Sequence, residues 1–293
     1  MATANNIETN NWKDYELLDS GENMKLERYG SVVVARPETQ AIWKKQKPEL
    51  WDKADAVFSW SENKGAWSTR AGWSESWPVS WEGVTASAEL TSFKHVGIFP
   101  EQAPNWRWAG ERIAALKANG TESPSVLNLF GYTGIASVAA AKAGAKPTHV
   151  DSSKQSVAWA RENASASGLP EDAIRWLVDD ALAFAKREVR RGSKYDGIIL
   201  DPPAFGRGAK GEVWHIEENL PELMEALKDL LSDAPGSFFL INGYAAGYTP
   251  QSFLQLVESH FGPQATGEYG ELRIPESGSD RAVSAGIYVR FAR

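Results

Sequence analysis

The chain reads as a mixed α/β protein, a parallel sheet wrapped by crossover helices, closed by an antiparallel C-terminal pair and preceded by a small β-rich region. Three observations predict this. From about position 110, short apolar runs alternate with helix-forming stretches, as a parallel sheet with crossovers requires. An apolar run at 126–130 enters a turn carrying Gly131 and Gly134, then the small-residue stretch IASVAAAKAG: strand, glycine turn, helix. Before position 95, β-prone runs (SVVVAR, AVFSW, STRAGW, PVSWEGVTASAELTSF) are separated by Gly, Pro, Asn and Ser, the pattern of a small antiparallel sheet.

Residues 1–95 are therefore expected to form a small β-rich, Trp-rich N-terminal domain and 96–293 the larger domain. Ten of the 13 tryptophans fall by position 108, among them Trp60, Trp67, Trp73, Trp77 and Trp81. Large aromatics mostly serve burial, so these are read as core or subunit contact, with base stacking as the rival role. In the larger domain the pattern predicts a helix over 106–118, strand 125–130, helix 135–144, strand 147–151 and helix 154–167. Strand 174–178, helix 180–191, strand 196–200, helix 216–232, strand 237–242 and helix 250–260 continue it. ATGEYGELRIP and AGIYVRFAR flank the polar stretch ESGSDRAVS, which predicts an antiparallel pair at the sheet edge with its loop beside the substrate cleft.

At 293 residues the chain suits one large domain plus a smaller one. Its hydrophobic content of 42% is ordinary, and no apolar run approaches the roughly 20 residues that span a bilayer. The N-terminus has neither a basic start nor an apolar core, so the cytoplasm is the expected compartment. Zero cysteines exclude disulfides, Cys-based zinc sites and a thiolate nucleophile, and no metal site is expected. The net charge of −7 argues against a chain coated in nucleic acid, but not against a local basic footprint. KREVRRGSK at 186–194 reads as the solvated face of a helix. Arg207 and Lys210, in a glycine-rich loop after DPPAF, are placed to meet a phosphate.

The glycine turn carries the functional signal. Glycine lets backbone approach a ligand, and the free N–H groups at the helix start favour a negative group. THVD ends in Asp151, about 20 residues after the first glycine, where a ribose-binding acid stands in nucleotide folds. GYTG lacks the three glycines of a dinucleotide fingerprint, which disfavours NAD. An acidic pair, Asp179 and Asp180, follows the third strand of the alternation, and DPPAF at 201–205 follows the fourth.

HVGIFPEQAPNWRW (95–108), NLFGYTGIAS (128–137), DDALAF (179–184) and YDGIILDPPAFGRG (195–208) together resemble class I S-adenosylmethionine-dependent methyltransferases. More closely, they resemble the bacterial 23S ribosomal RNA methyltransferase family that includes the cytosine-C5 enzymes. The resemblance covers roughly 85–293 and implies a Rossmann-like sheet, S-adenosylmethionine as cofactor, and methylation of ribosomal or other structured RNA. Methylating cytosine C5 ordinarily relies on attack by a cysteine thiolate, which this chain lacks, so a base nitrogen is the better-supported target. A cofactor-binding, RNA-associated protein without transfer activity is one alternative, against which the intact DPPAF argues; a protein or small-molecule substrate is another. Self-association is a further expectation of the Trp-rich front.

On this reading Gly131 and Gly134 approach the methionine part of the cofactor over a floor of Asn128 to Phe130. Asp151, with Ser152 beside it, accepts from the ribose hydroxyls, its rival role being an N-cap for the helix from Lys154. One of Asp179 and Asp180 receives the adenine amino group, the family position favouring Asp180, and the other caps the next helix. The resemblance places Phe99, Gln102 and Asn105 over the cofactor. In DPPAF, Pro202 and Pro203 fix the backbone and remove donors, so that Asp201 and the local carbonyls act as acceptors, and Phe205 stacks on the substrate base. Methyl transfer from a sulfonium depends mainly on in-line positioning, so Asp201 is an orienting acceptor first and a base second.

Overall fold

The computed structural model describes residues 1–61, 64–208, 211–244, 247–262 and 267–293. The chain opens with two short strands, β1 (Thr3–Ala4) and β2 (Ile7–Glu8). A five-stranded sheet follows, with one short helix in its course: β3 (Tyr15–Gly21), β4 (Met24–Tyr29), β5 (Val32–Pro37), helix α1 (Pro48–Trp51), β6 (Ala56–Ser61) and β7 (Lys64–Thr69). A hairpin, β8 (Ser76–Trp81) and β9 (Val84–Glu89), and a 3-10 turn at Pro100–Gln102 lead into α2 (Ala103–Ala118). The alternating part runs β10 (Ser125–Leu129), α3 (Ile135–Lys142), β11 (Lys146–Asp151), α4 (Lys154–Ala166), β12 (Arg175–Val178), α5 (Ala181–Arg190) and β13 (Gly197–Leu200). After the small pair β14 (Phe205–Arg207) and β15 (Val213–His215) come α6 (Ile216–Leu230), β16 (Phe238–Gly243), α7 (Pro250–Phe261), β17 (Gly267–Pro275) and β18 (Ala282–Ala292).

Among the described residues the largest sheet has nine strands, in the order β1-β17-β18-β16-β13-β10-β11-β12 with β2 also on β17. The strands from β12 to β16 are parallel, and β18 runs antiparallel to both β16 and β17. SVLNL, GIIL and FFLING are almost wholly buried, as strands covered on both faces must be. Alternation along them divides the core. Leu127, Leu129, Ile198, Leu200, Phe239 and Ile241 face α5, α6 and α7. Val126, Ile199, Phe238 and Leu240 face α2 and α3. Ser153, Asp180 and Thr249 cap α4, α5 and α7 by accepting from the third backbone N–H beyond them. No helix among the described residues is long and apolar enough to cross a membrane.

Two features at the front depart from the expected layout. β1 and β2 leave the N-terminal sheet and pair in parallel with β17, extending the edge of the large sheet. Within the five-stranded sheet β5 and β6 are parallel, the other pairs antiparallel. The β17–β18 loop also lies elsewhere than expected. Arg281 bonds Asp19 at 2.7 Å and Glu276, while Glu276 accepts from Ser20 at 2.8 Å, so the loop docks on the N-terminal sheet.

The tryptophans divide as follows. Trp77 and Trp81 are buried, Trp67 and Trp73 partly so, and Trp60 is 58% exposed. The basic run at 186–194 is the solvated face of α5 and its exit: Lys186 pairs with Glu222, Arg191 with Glu188, and Lys194 donates to the Asp229 carbonyl.

Candidate functional site

The cleft opens at the C-terminal ends of β10, β11 and β13, where the chain connections diverge to the two sides of the sheet, the ligand position in open α/β folds. Its lining includes Phe130, Asp151, Ser152, Asp180, Pro203 and Trp214. After β10 the backbone turns tightly, with Gly131 N–H donating to the Val150 carbonyl and Gly134 N–H to Gly131. Phe130, Tyr132 and Gly134 all take positive φ here (55°, 47° and 78°). At Gly131 a Cβ would lie 2.4 Å from the His149 ring, and at Gly134 2.6 Å from Ala160. Both glycines are thus required by close packing beneath the turn. Burial holds His149 at about 3, so the ring is a neutral strut, its Nδ1 on Ser137. Asn128 donates to the same Ser137 hydroxyl at 2.8 Å. It braces the turn from below and is absent from the cleft lining.

Asp151 closes β11. Its Oδ2 accepts from Tyr132 N–H at 2.9 Å and its Oδ1 from Ser153 N–H at 2.8 Å. Burial raises its carboxyl against these two hydrogen bonds. The helix cap is Ser153, so the rival role falls to its neighbour and each Asp151 oxygen keeps capacity for a further donor. In the acidic pair, Asp180 is the helix cap, accepting from Ala183 N–H at 2.8 Å through Oδ1. Asp179 is drawn into an ion pair with Arg187. Both border the cleft.

Asp201 follows β13 with its Oδ1 fully buried and without a partner. Burial, and then the charge of Glu101, push its carboxyl up to about 8. Pro202 is buried and Pro203 lies on the cleft. The Pro203 carbonyl is not free for a ligand: Trp214 Nε1 donates to it at 2.7 Å. That indole also meets Phe130 edge to face at 4.8 Å, making a wall that the sequence reading missed. Phe205 is 51% exposed, edge-on to His215, with the exposed Arg207 against its ring. Lys210 lies outside the described residues.

Above the strand ends, Phe99 packs against Tyr132 and Tyr244 at 5.8 and 5.7 Å. Gln102 donates to the Tyr244 hydroxyl, and Asn105 donates to Gln102 and, at 2.7 Å, to Asn242. Asn105 in turn accepts from Arg290 at 3.1 Å. The sequence reading gathered Gln102 and Asn105 but passed over Glu101 and Tyr244. Tyr244 stands just past the C-terminal end of β16, a position that itself points to a site in this sheet type.

Residues 62–258 match the S-adenosylmethionine-dependent methyltransferase family. A solved S-adenosylmethionine-dependent methyltransferase from Agrobacterium tumefaciens is 37% identical, with 100% of this chain and 97% of that one covered and a TM-score of 0.91. A methyltransferase structure from Streptococcus mutans, at 23% identity, 96% and 75% coverage and a TM-score of 0.70, shares the fold. Among curated relatives, the ribosomal RNA large subunit methyltransferase K/L of Shewanella frigidimarina is 34% identical over 152 residues, 51% of this chain but 20% of that protein's length. The glycine turn, Asp151 and DPPAF fall within the matched region, and the chain belongs to the S-adenosylmethionine-dependent methyltransferase family.

Proposed function

We propose that the chain transfers the methyl group of S-adenosylmethionine to a base nitrogen of structured RNA, ribosomal RNA foremost. The observation that carries this reading is Asp201: an unpartnered, buried carboxylate oxygen at the end of β13, beside two prolines that offer no N–H. Once ionised, such a site accepts hydrogen bonds and does not donate them, which suits a base that presents an N–H. The absence of cysteine favours nitrogen over ring carbon. The printed name of the Shewanella relatives, which the chain matches over a fifth of their length, supports RNA as the substrate class.

The residues fit the cofactor. Asp151 retains an acceptor site on each oxygen for a ribose diol. Phe130, Ala181, Pro203 and Trp214 supply apolar walls for the adenine, and the second Asp180 oxygen is available to its amino group. The cofactor supplies a methyl group activated on a sulfonium sulfur. This chain's contribution is to orient the accepting nitrogen through Asp201, to screen the base with Phe205, and to meet the backbone phosphate with Arg207.

Calorimetric titration with S-adenosylmethionine and S-adenosylhomocysteine tests the first half. Asp151→Ala is expected to weaken binding by at least about tenfold, the worth of one charge-assisted hydrogen bond. Labelled methyl transfer to unmodified ribosomal RNA, compared with cell protein, tests the second. Label in protein alone would overturn the RNA assignment, and cofactor binding with no transfer to either would overturn the enzymatic one.

A further inference from the structure

Among the described residues four aromatic side chains are exposed: Trp60, Phe93, Phe205 and Tyr244. A lone exposed ring is ordinary, but these four are not scattered. Tyr244 and Phe205 follow the C-terminal ends of β16 and β13, strands paired in parallel at Leu200 and Ile241, so both stand at the mouth of the cleft. From Tyr244 a continuous line of contacts runs to the other two. Phe99 packs on Tyr244 at 5.7 Å and also meets His95 at 5.2 Å. The His95 carbonyl accepts from the Thr91 N–H and hydroxyl, closing a tight turn that presents Phe93. Trp67 Nε1 donates to the Thr91 and Phe93 carbonyls at 2.8 and 3.2 Å, which ties this turn to β7. Trp67 then meets Phe58 edge to face at 5.1 Å, and Phe58 meets Trp60 at 5.2 Å.

Packing accounts for the inner members of this line and not for the outer ones. Phe58 is buried, and its ring fills the place where a Cβ on Gly65 would lie, 2.1 Å away. Trp60 stands across the ladder from Gly65, which offers no side chain to cover it. Phe93 serves its turn through the backbone, with N–H and carbonyl both bonded to Thr91, while the residue stays 66% exposed. Cations accompany three of the four exposed rings. Lys64 is exposed beside Gly65, Lys94 follows Phe93, and the Arg207 guanidinium lies 6.0 Å from the Phe205 ring. Flat rings with cations along one path suit unpaired nucleotides, whose bases stack and whose phosphates are neutralised. A duplex keeps its bases stacked on one another, and a chain of net charge −7 is poorly suited to grip its dense phosphates.

We propose that Trp60, Phe93, Tyr244 and Phe205 form a stacking track for an unpaired stretch of the RNA substrate, leading from the β6–β7 hairpin to the mouth of the cleft. The inference rests on the RNA methyltransferase reading above. Bases held on the outer rings anchor the strand, and the target base is delivered to Phe205 and Asp201.

The test uses the full chain as wild type, Trp60→Ala, Phe93→Ala and the double variant, none of which touches the cleft. Fluorescence anisotropy follows binding of a labelled single-stranded RNA of mixed sequence and of the same strand in a duplex. Wild type is expected to prefer the single strand. Each single variant weakens that binding by roughly tenfold, and the double variant by more, since one stacked base is lost at each ring. Trp60→Phe keeps a ring and recovers most of the loss. The slope of log affinity against log salt is expected to be about −2, the value for three phosphate contacts on a single strand, and to be unchanged in the ring variants. With in vitro transcribed large-subunit ribosomal RNA the variants raise KM and leave kcat, Tm and S-adenosylhomocysteine affinity at their wild-type values. A lowered Tm with undiminished RNA affinity would reduce the rings to packing and overturn the track, as would a preference for the duplex. Loss of label on cell protein, with RNA binding intact, would make the surface a protein-docking site and overturn it too. Failure of wild type to bind S-adenosylhomocysteine or to methylate RNA sinks the underlying reading, whereas the oligonucleotide titration judges the track without cofactor or transfer.

Discussion

A carboxyl held up to about 8 by burial and by a neighbouring negative charge, as Asp201 is, ties stability to pH. The folded state keeps a proton that the unfolded chain gives up near its ordinary value of about 4. Stability from this group is therefore complete below that value and is lost as pH rises through about 8. Asp201→Asn has no proton to lose. Urea unfolding should find the two proteins similar at pH 5 and the variant more stable at pH 9, by on the order of 3 kcal/mol once water entry into the site is allowed for. Glu27, where Arg36 and Lys25 outweigh burial and bring the carboxyl to about 2, acts in the opposite sense at the acid end and is common to both proteins. An equal difference at the two pH values would show that Asp201 is ionised throughout. The residue type and position of Asp201 were legible in DPPAF; its protonation was not, because that depends first on burial and then on the charge of Glu101, 100 positions away in the chain.

The site is held by elements whose roles were unequally visible. Strand β10, the glycine turn and β11 are local in sequence, so their apolar runs and glycines gave both geometry and boundaries. Asn128 carries an equally local ambiguity: in a strand covered on both faces a polar residue can turn to either, and here its amide turns to Ser137. The β14–β15 pair was unreadable as a wall because its contribution arises only when the chain returns after a glycine-rich loop and sets Trp214 on Pro203 and Phe130. Trp214→Phe isolates that contribution. It keeps an aromatic ring but leaves the Pro203 carbonyl without its donor, at a cost of about 1 kcal/mol in a partly buried place. A Tm lower by a few degrees and a several-fold weaker affinity for S-adenosylhomocysteine are expected. An unchanged affinity would place the hairpin outside the cofactor wall.

At the scale of the molecule, the front region and the large sheet share a core that no composition shift announces. Trp12 and Trp81 meet Trp106 of α2 at 6.0 and 5.2 Å, and the same cluster takes in Trp77 and Val79 with Ile135 and Val138 of α3. Thr9 bonds the Pro100 carbonyl at 2.8 Å, and Tyr288 bonds the Asn5 carbonyl at 2.7 Å. The change in residue pattern near 95 is real in sequence, yet burial crosses it, since a pattern break marks a change of secondary structure and the packing partner is set by tertiary approach. A fragment beginning at 96 would uncover Trp106, Ile135 and Val138, and would leave the β17 edge open where β1 and β2 now pair. It is expected to be poorly soluble, or to melt well below the whole chain, and to regain S-adenosylhomocysteine binding when residues 1–95 are supplied in trans. A soluble fragment with undiminished Tm and affinity would mean instead that the shared aromatic cluster adds little.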